Sequence, residues 1–321
     1  MKKILALVLA AMLLIAASAM AEVNPADITI GIMQYVPHVA LDSAAEGFQA
    51  ALSENGYADA TIDLQNAQGD ASNLSTIADH FIAENVDLVL CIATPAAQTM
   101  AGKTTEIPIL GTAVTDYVEA RLVNSNEEPG VNVSGTSDMN PVSDQIALLK
   151  EFAPDAQTVG VLYASNEDNS ILQASMAKEA IEELGMSYVE VTVTNSNEVQ
   201  QATQQIVSEC DAIYIPTDNV FASAMSIVYG VTVESKTPVI CGESGEVENG
   251  GLATLGINYY NLGYQTGLMT IRVLEGEDIT KMPIEFATTY DYCVNATVAE
   301  EIGIEIPEKY QDYTVTMEAA Q

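Results

Sequence analysis

The chain has 321 residues, 48% of them hydrophobic and 17% charged, enough apolar material for one large core or two moderate ones. Asp and Glu number 45 against 10 Lys and Arg, a formal net charge of −35. Such a field argues against nucleic acid and phosphate esters as partners and leaves neutral, zwitterionic or cationic small molecules.

Lys2 and Lys3 precede an uncharged apolar run over residues 4–17, and Ser18, Ala19, Met20 and Ala21 end in a small-x-small pattern. This predicts a secretory signal peptide, residues 1–21, and export to a periplasm or the outside. The run is short for a membrane span. No Cys lies near the cut, so a lipobox is not seen. Cys91, Cys210, Cys241 and Cys293 fall in or beside apolar strand segments and read as buried free thiols rather than disulfides. Without a CxxC pair they offer no metal or redox centre.

In chain order, residues 28–33 read as a first strand, and Leu41, Ala44, Ala45, Phe48, Ala51 and Leu52 as the apolar face of the following helix, ended by Gly56. A second strand is expected over 61–64. Leu74, Ile77, Ala78, Phe81 and Ile82 mark the next helix by their 0, 3, 4, 7, 8 spacing. Strands follow over 86–92 and 107–112, then a lapse into Asn, Ser, Glu, Gly and Pro over 124–141, read as a first passage between lobes. The second half repeats the plan, with strands over 158–163 and 188–193, a helix over 171–184, and Val199, Ala202, Thr203, Ile206 and Val207 at the same helical spacing. Residues 211–225 twin 86–100: each is an apolar strand running into a short polar turn and a small-residue helix. After Gly250 come strand-like 252–257, a helix over 262–274, strand candidates over 284–289 and 291–295, and a terminal helix over 298–302. These late pieces belong to neither repeat and predict repeated crossing between lobes.

Strands alternating with amphipathic helices imply an α/β fold of two Rossmann-like lobes with parallel sheets. Open parallel sheets bind ligands beyond their strand carboxyl ends. The candidate ligand-binding residues are therefore Gln34, Tyr35, His38, Thr94, Pro95, Ala96, Thr112, Ala113, Thr115 and Asp116 from the first half, with Asn169, Thr217, Asp218, Asn219 and Glu243 from the second. Thr94 at an N-cap with Pro95 at the first helical position would leave the amides of Ala96 and Ala97 free for a carboxylate, unless Thr94 only caps its own helix. Asp218 would pair with an ammonium group, or cap a helix instead. Tyr35 and His38 offer rings to a ligand side chain, and Tyr259 and Tyr260 stand where the chain recrosses. Together these describe an amino-acid binder.

The stretch 65–70 followed by Asn73 and Leu74, then 92–98, 112–116, 216–219 and 253–257, resembles the ABC-transporter substrate-binding family that includes tryptophan- and tyrosine-binding proteins. The resemblance extends over nearly the whole mature chain. It implies a type I periplasmic-binding-protein fold with a three-segment hinge, closing around an aromatic amino acid and delivering it to a membrane permease with a separate ATPase. The first lobe is expected over 22–138 plus about 257–281, the second over 139–256 plus about 282–321, in a monomer without cofactor or metal. A sugar, nucleoside or other amide ligand, or a role in an exported sensor, fits the same fold. An enzyme has little support, since neither GxSxG, P-loop, GxGxxG nor HExxH occurs.

Overall fold

The computed structural model describes residues 24–317, so the expected signal peptide lies outside the described residues. The first lobe opens with β1 (Thr29–Gln34), α1 (Val39–Leu52), β2 (Thr61–Asn66), α2 (Ala71–Glu84), β3 (Leu88–Ile92), α3 (Thr94–Ala101), β4 (Ile109–Val114) and β5 (Val133–Ser137). The second lobe follows with α4 (Val142–Phe152), β6 (Thr158–Ala164), α5 (Asp168–Glu183), β7 (Ser187–Val193), α6 (Val199–Ile206) and β8 (Ala212–Ile215). It continues through α7 (Asn219–Ala222), α8 (Met225–Ser235), β9 (Val239–Cys241), α9 (Ser244–Glu248) and β10 (Ala253–Gly256). The chain then returns to the first lobe for α10 (Tyr259–Leu274) and β11 (Glu285–Phe286), and finishes in the second with β12 (Asp291–Asn295), α11 (Ala296–Ile302) and β13 (Thr314–Val315).

The first sheet is ordered β11-β5-β4-β3-β1-β2 and is parallel throughout. The second is ordered β13-β12-β10-β9-β8-β6-β7, with β12 antiparallel to β10. Stripped of their late additions, β2-β1-β3-β4-β5 and β7-β6-β8-β9-β10 are the same topology, which is the duplication visible in the sequence. In each, the strand order reverses about the first strand, so the loops after β1 and β3, and after β6 and β8, open a crevice. The two crevices face each other across three crossovers: β5 to α4, β10 to α10, and β11 to β12.

Two expectations need correction. The stretch 124–141 is not all passage, because β5 lies in it; its sequence Val-Ser-Gly-Thr-Ser carries almost no apolar signal although every residue is buried. The hydroxyls are satisfied internally: Ser134 donates to Met282 O, Ser137 donates to Thr115 O, and Thr136 and Thr266 share a hydrogen bond of 2.8 Å. The first lobe also extends beyond residue 281, since β11 pairs with β5 and moves the last crossing past Phe286. The strand expected over 284–289 is only these two residues.

The return helix α10 is fastened to α1 by backbone proximity. A Cβ on Gly263 would lie 2.0 Å from Ala44 O, and one on Gly47 2.0 Å from Tyr260 O. Neither obstacle is a flexible side chain. Gly263→Ala should therefore lower unfolding free energy by about 1–3 kcal/mol through overpacking, read from urea denaturation; an unchanged midpoint would show that the two helices can separate freely.

Candidate functional site

The crevice holds two connected compartments. The inner one is lined by His38, Leu41, Ala113 and Thr115 from the first lobe, Asn169, Thr217, Asp218, Asn219, Ala222 and Glu243 from the second, and Asp138 and Tyr259 from the crossovers. The outer one, of ≈ 220 Å³, is lined by Tyr35, Val36 and Gln68 to Asp70 on one side and by Thr194 to Ser196, Asn219, Val220 and Ser223 on the other. The lobes touch. His38 Nε2 lies 3.3 Å from Asn219 Oδ1, Gln98 donates to Asp168 at 2.7 Å, and Gln173 donates to Thr115 Oγ1 at 3.4 Å. The inner compartment, at ≈ 10 Å³, has room for about one water with the lobes in this arrangement.

Three carboxylates line the inner wall, and all six of their oxygens accept hydrogen bonds. Asp138 accepts from Thr115 and Tyr259, each at 2.9 Å. Asp218 accepts from the amides of Ala164 at 2.6 Å and Phe221 at 2.9 Å. Glu243 accepts from the amides of Gly245 at 2.5 Å and Glu246 at 2.8 Å. Behind Asn219, Glu167 accepts from the Asn219 amide at 2.5 Å. All four are buried, and no Lys or Arg lines either compartment among the described residues. Burial raises the pKa of Asp138, Asp218, Glu167 and Glu243, the neighbouring Asp218 charge adds to the effect at Glu167, and Glu243 reaches about 7. The field extends outward: burial first, then the charges of Glu167, Asp218 and Asp70, push Tyr35 up to about 12.

Two acceptors in this wall lack partners. Asn169 gives its amide to Thr217 O at 3.0 Å, which leaves Oδ1 buried and free. Asn219 turns its amide to Glu167 and its Oδ1 to His38, so His38 donates from Nε2 and its buried Nδ1 is an unpaired acceptor.

The sequence-expected residues divide accordingly. His38, Ala113, Thr115, Asn169, Thr217, Asp218, Asn219 and Glu243 meet at the inner compartment, and Tyr35 at the outer. Gln34 does not: it donates to Val36 O and Asp42 and anchors the loop after β1. Thr112 is buried within β4 of the first sheet, accepting from Thr136, and Asp116 caps the turn at Val118 and Glu119. Thr94, Pro95 and Ala96 line neither compartment. Ala93, at φ 84°, is the N-cap of α3, so Thr94 is one position further into the helix than expected and its buried hydroxyl has no partner. The proposed carboxylate clamp at Ala96 and Ala97 is thus absent from the cavity wall. Asp218 does cap α7, so it serves the fold and the cavity together. Asp138 and Glu167 were not singled out; an Asp just after a strand of small polar residues carried no recognisable pattern.

Two parallel α/β lobes, three crossovers and a buried cavity between them define a type I periplasmic binding protein. Residues 29–317 match the family described as ABC transporter substrate binding protein, and the chain belongs to it. It is 40% identical over 279 residues to a tyrosine-binding protein of Clostridioides difficile, covering 86% of this chain and 81% of that one. An ABC domain from Streptococcus pneumoniae solved in complex with L-Trp is 36% identical with a TM-score of 0.87, covering 91% of this chain and 99% of that one. The ligand-free, open structure of a substrate-binding protein with adhesive properties from Clostridium difficile is 44% identical with a TM-score of 0.70, covering 91% and 100%. The better superposition on the less similar, ligand-bound chain agrees with the lobe-to-lobe contacts above. Among the described residues no helix is long and apolar enough to cross a membrane.

Burial lowers the His38 pKa from 6.5 to about 4, against smaller upward effects of Asn219 and Asp42. A base depressed in this way stabilises the closed arrangement fully above pH 6.5, and that contribution is lost as pH falls toward about 4. Histidine NMR should show His38 neutral at pH 5.5, with a midpoint near the lower value; ordinary titration around 6.5 would place the ring in solvent.

Proposed function

We propose that the protein is the extracytoplasmic binding component of an ABC importer and that it closes around an aromatic amino acid. The observation that carries this reading is a buried interlobe wall of three carboxylates and two unpaired acceptors with no cation of its own. A buried anionic wall demands a counter-charge, and an α-ammonium supplies one with three donors. The Thr217 hydroxyl accepts from Asn140, so its own proton is free for the ligand carboxylate. Tyr35, Val36 and Val220 give the outer compartment apolar surface for a side chain. The ligands named for the relatives, tyrosine and L-Trp, support an aromatic one. Delivery to a permease driven by a separate ATPase, export by residues 1–21, and action as a monomer complete the proposal.

Calorimetric titration with tyrosine, tryptophan, phenylalanine, leucine and a nucleoside tests it. An aromatic amino acid should bind with the highest affinity; saturable binding of the nucleoside alone would displace the reading.

Affinity should also depend on pH. Glu243 is raised from 4.5 to about 7 by burial, so it is partly protonated at neutral pH in the empty site. In the unliganded fold this raised carboxyl costs stability as pH rises through 7, whereas a bound ammonium favours its ionised form. Binding should therefore release protons, and affinity should climb as pH rises from about 4.5 to 7 and level off above that. Calorimetry in buffers of different ionisation enthalpy measures that release, and proton uptake would contradict the assignment.

A further inference from the structure

We infer that the ligand is held by its ammonium group and that its carboxylate is dispensable, so primary aromatic amines without a carboxylate bind the same interlobe cavity. This rests on the reading that the cavity takes an aromatic amino acid and states which half of that molecule is recognised.

The asymmetry is in the wall. Its charged side chains are Asp138, Asp218 and Glu243, all anionic. The donors that elsewhere would greet a carboxylate are turned away from the ligand: the hydroxyls of Thr115 and Tyr259 are given to Asp138, and the Asn219 amide to Glu167. Thr217 retains one free proton. On the acceptor side, Asn169 Oδ1 is unpaired on a residue only 6% exposed, and His38 Nδ1 is likewise buried without a partner. The chain's two arginines that could clamp a carboxylate do not line the cavity; Arg272 is committed to Glu277 and Glu285. An ammonium thus meets acidic side chains and acceptors together, while a carboxylate meets one free side-chain hydroxyl beside three acidic groups. Deleting the carboxylate removes repulsion along with that hydrogen bond, whereas deleting the ammonium leaves buried acids without a counter-charge.

The experiment is calorimetric titration of the full mature chain with two matched sets: tyrosine, tyramine and 3-(4-hydroxyphenyl)propionate; tryptophan, tryptamine and indole-3-propionate. The amines should bind within about tenfold of the parent amino acid, and the deaminated acids about 30-fold or more weaker. Tyrosine or tryptophan binding while its amine falls about 30-fold, or a deaminated acid matching its parent, would overturn the inference and leave the amino-acid reading in place. Amines binding where neither amino acid does would uphold the inference and remove the amino-acid reading. Silence from all six compounds would remove both.

Discussion

The governing constraint is the burial of acidic side chains in one wall of the cavity, Asp218 and Glu243 from the second lobe and Asp138 from the first crossover, with no Lys or Arg lining it among the described residues. Asp138, Asp218 and Glu243 each have both carboxylate oxygens engaged by donors, which fixes their positions but does not neutralise them. Burial takes these groups out of water, a cost relieved by protons or, on the proposed reading, by a cationic ligand. Under the proposed function, domain closure, proton release and capture of a positive group are coupled.

The mobile and rigid parts are separable in the same terms. Within the first lobe, the backbone contact between α1 and α10 at Gly47 and Gly263 leaves no side chain that could reorient to permit sliding. Bonds at the crossovers are of another kind. Asp138 to Tyr259, Asn140 to Thr217, and Tyr290 to Met139 O are single side-chain hydrogen bonds spaced along the hinge. Two of them involve residues of the cavity wall, so the state of the hinge and the state of the site share atoms.

Much of this was legible in the sequence because it follows from periodicity. The twin stretches 86–100 and 211–225 announced the duplication, and the strand-to-helix turns they contain supply Thr217, Asp218 and Asn219 to the site. What escaped has physical causes. The strand β5 is built of buried hydroxyls and a glycine, so hydrophobic patterning cannot register it, and Asp138 immediately after it was missed for the same reason. Thr94 has a cap-like sequence context, but Ala93 in a left-handed backbone conformation takes the N-cap position and shifts the helix start by one. Gln34 ends β1 as expected, yet Val36 O and Asp42 take its amide, and Thr112 lies inside β4, which runs on to Val114, and accepts from Thr136. Strand position can be read from pattern; the direction in which a polar side chain is spent depends on neighbours distant in the chain.

The return of α10 and β11 to the first sheet has a consequence for biosynthesis. The first lobe is not a contiguous segment, and its core includes Leu262, Met269, Met282 and Ile284 from far along the chain. That lobe lacks a covering helix until about residue 274 has been made and an edge strand until about residue 286. The second lobe's strands β6 to β10 are all synthesised before then. Both halves thus wait for the last part of the chain, the first for α10 and β11 and the second for β12, α11 and β13, so neither closes its core as a contiguous segment leaves the ribosome.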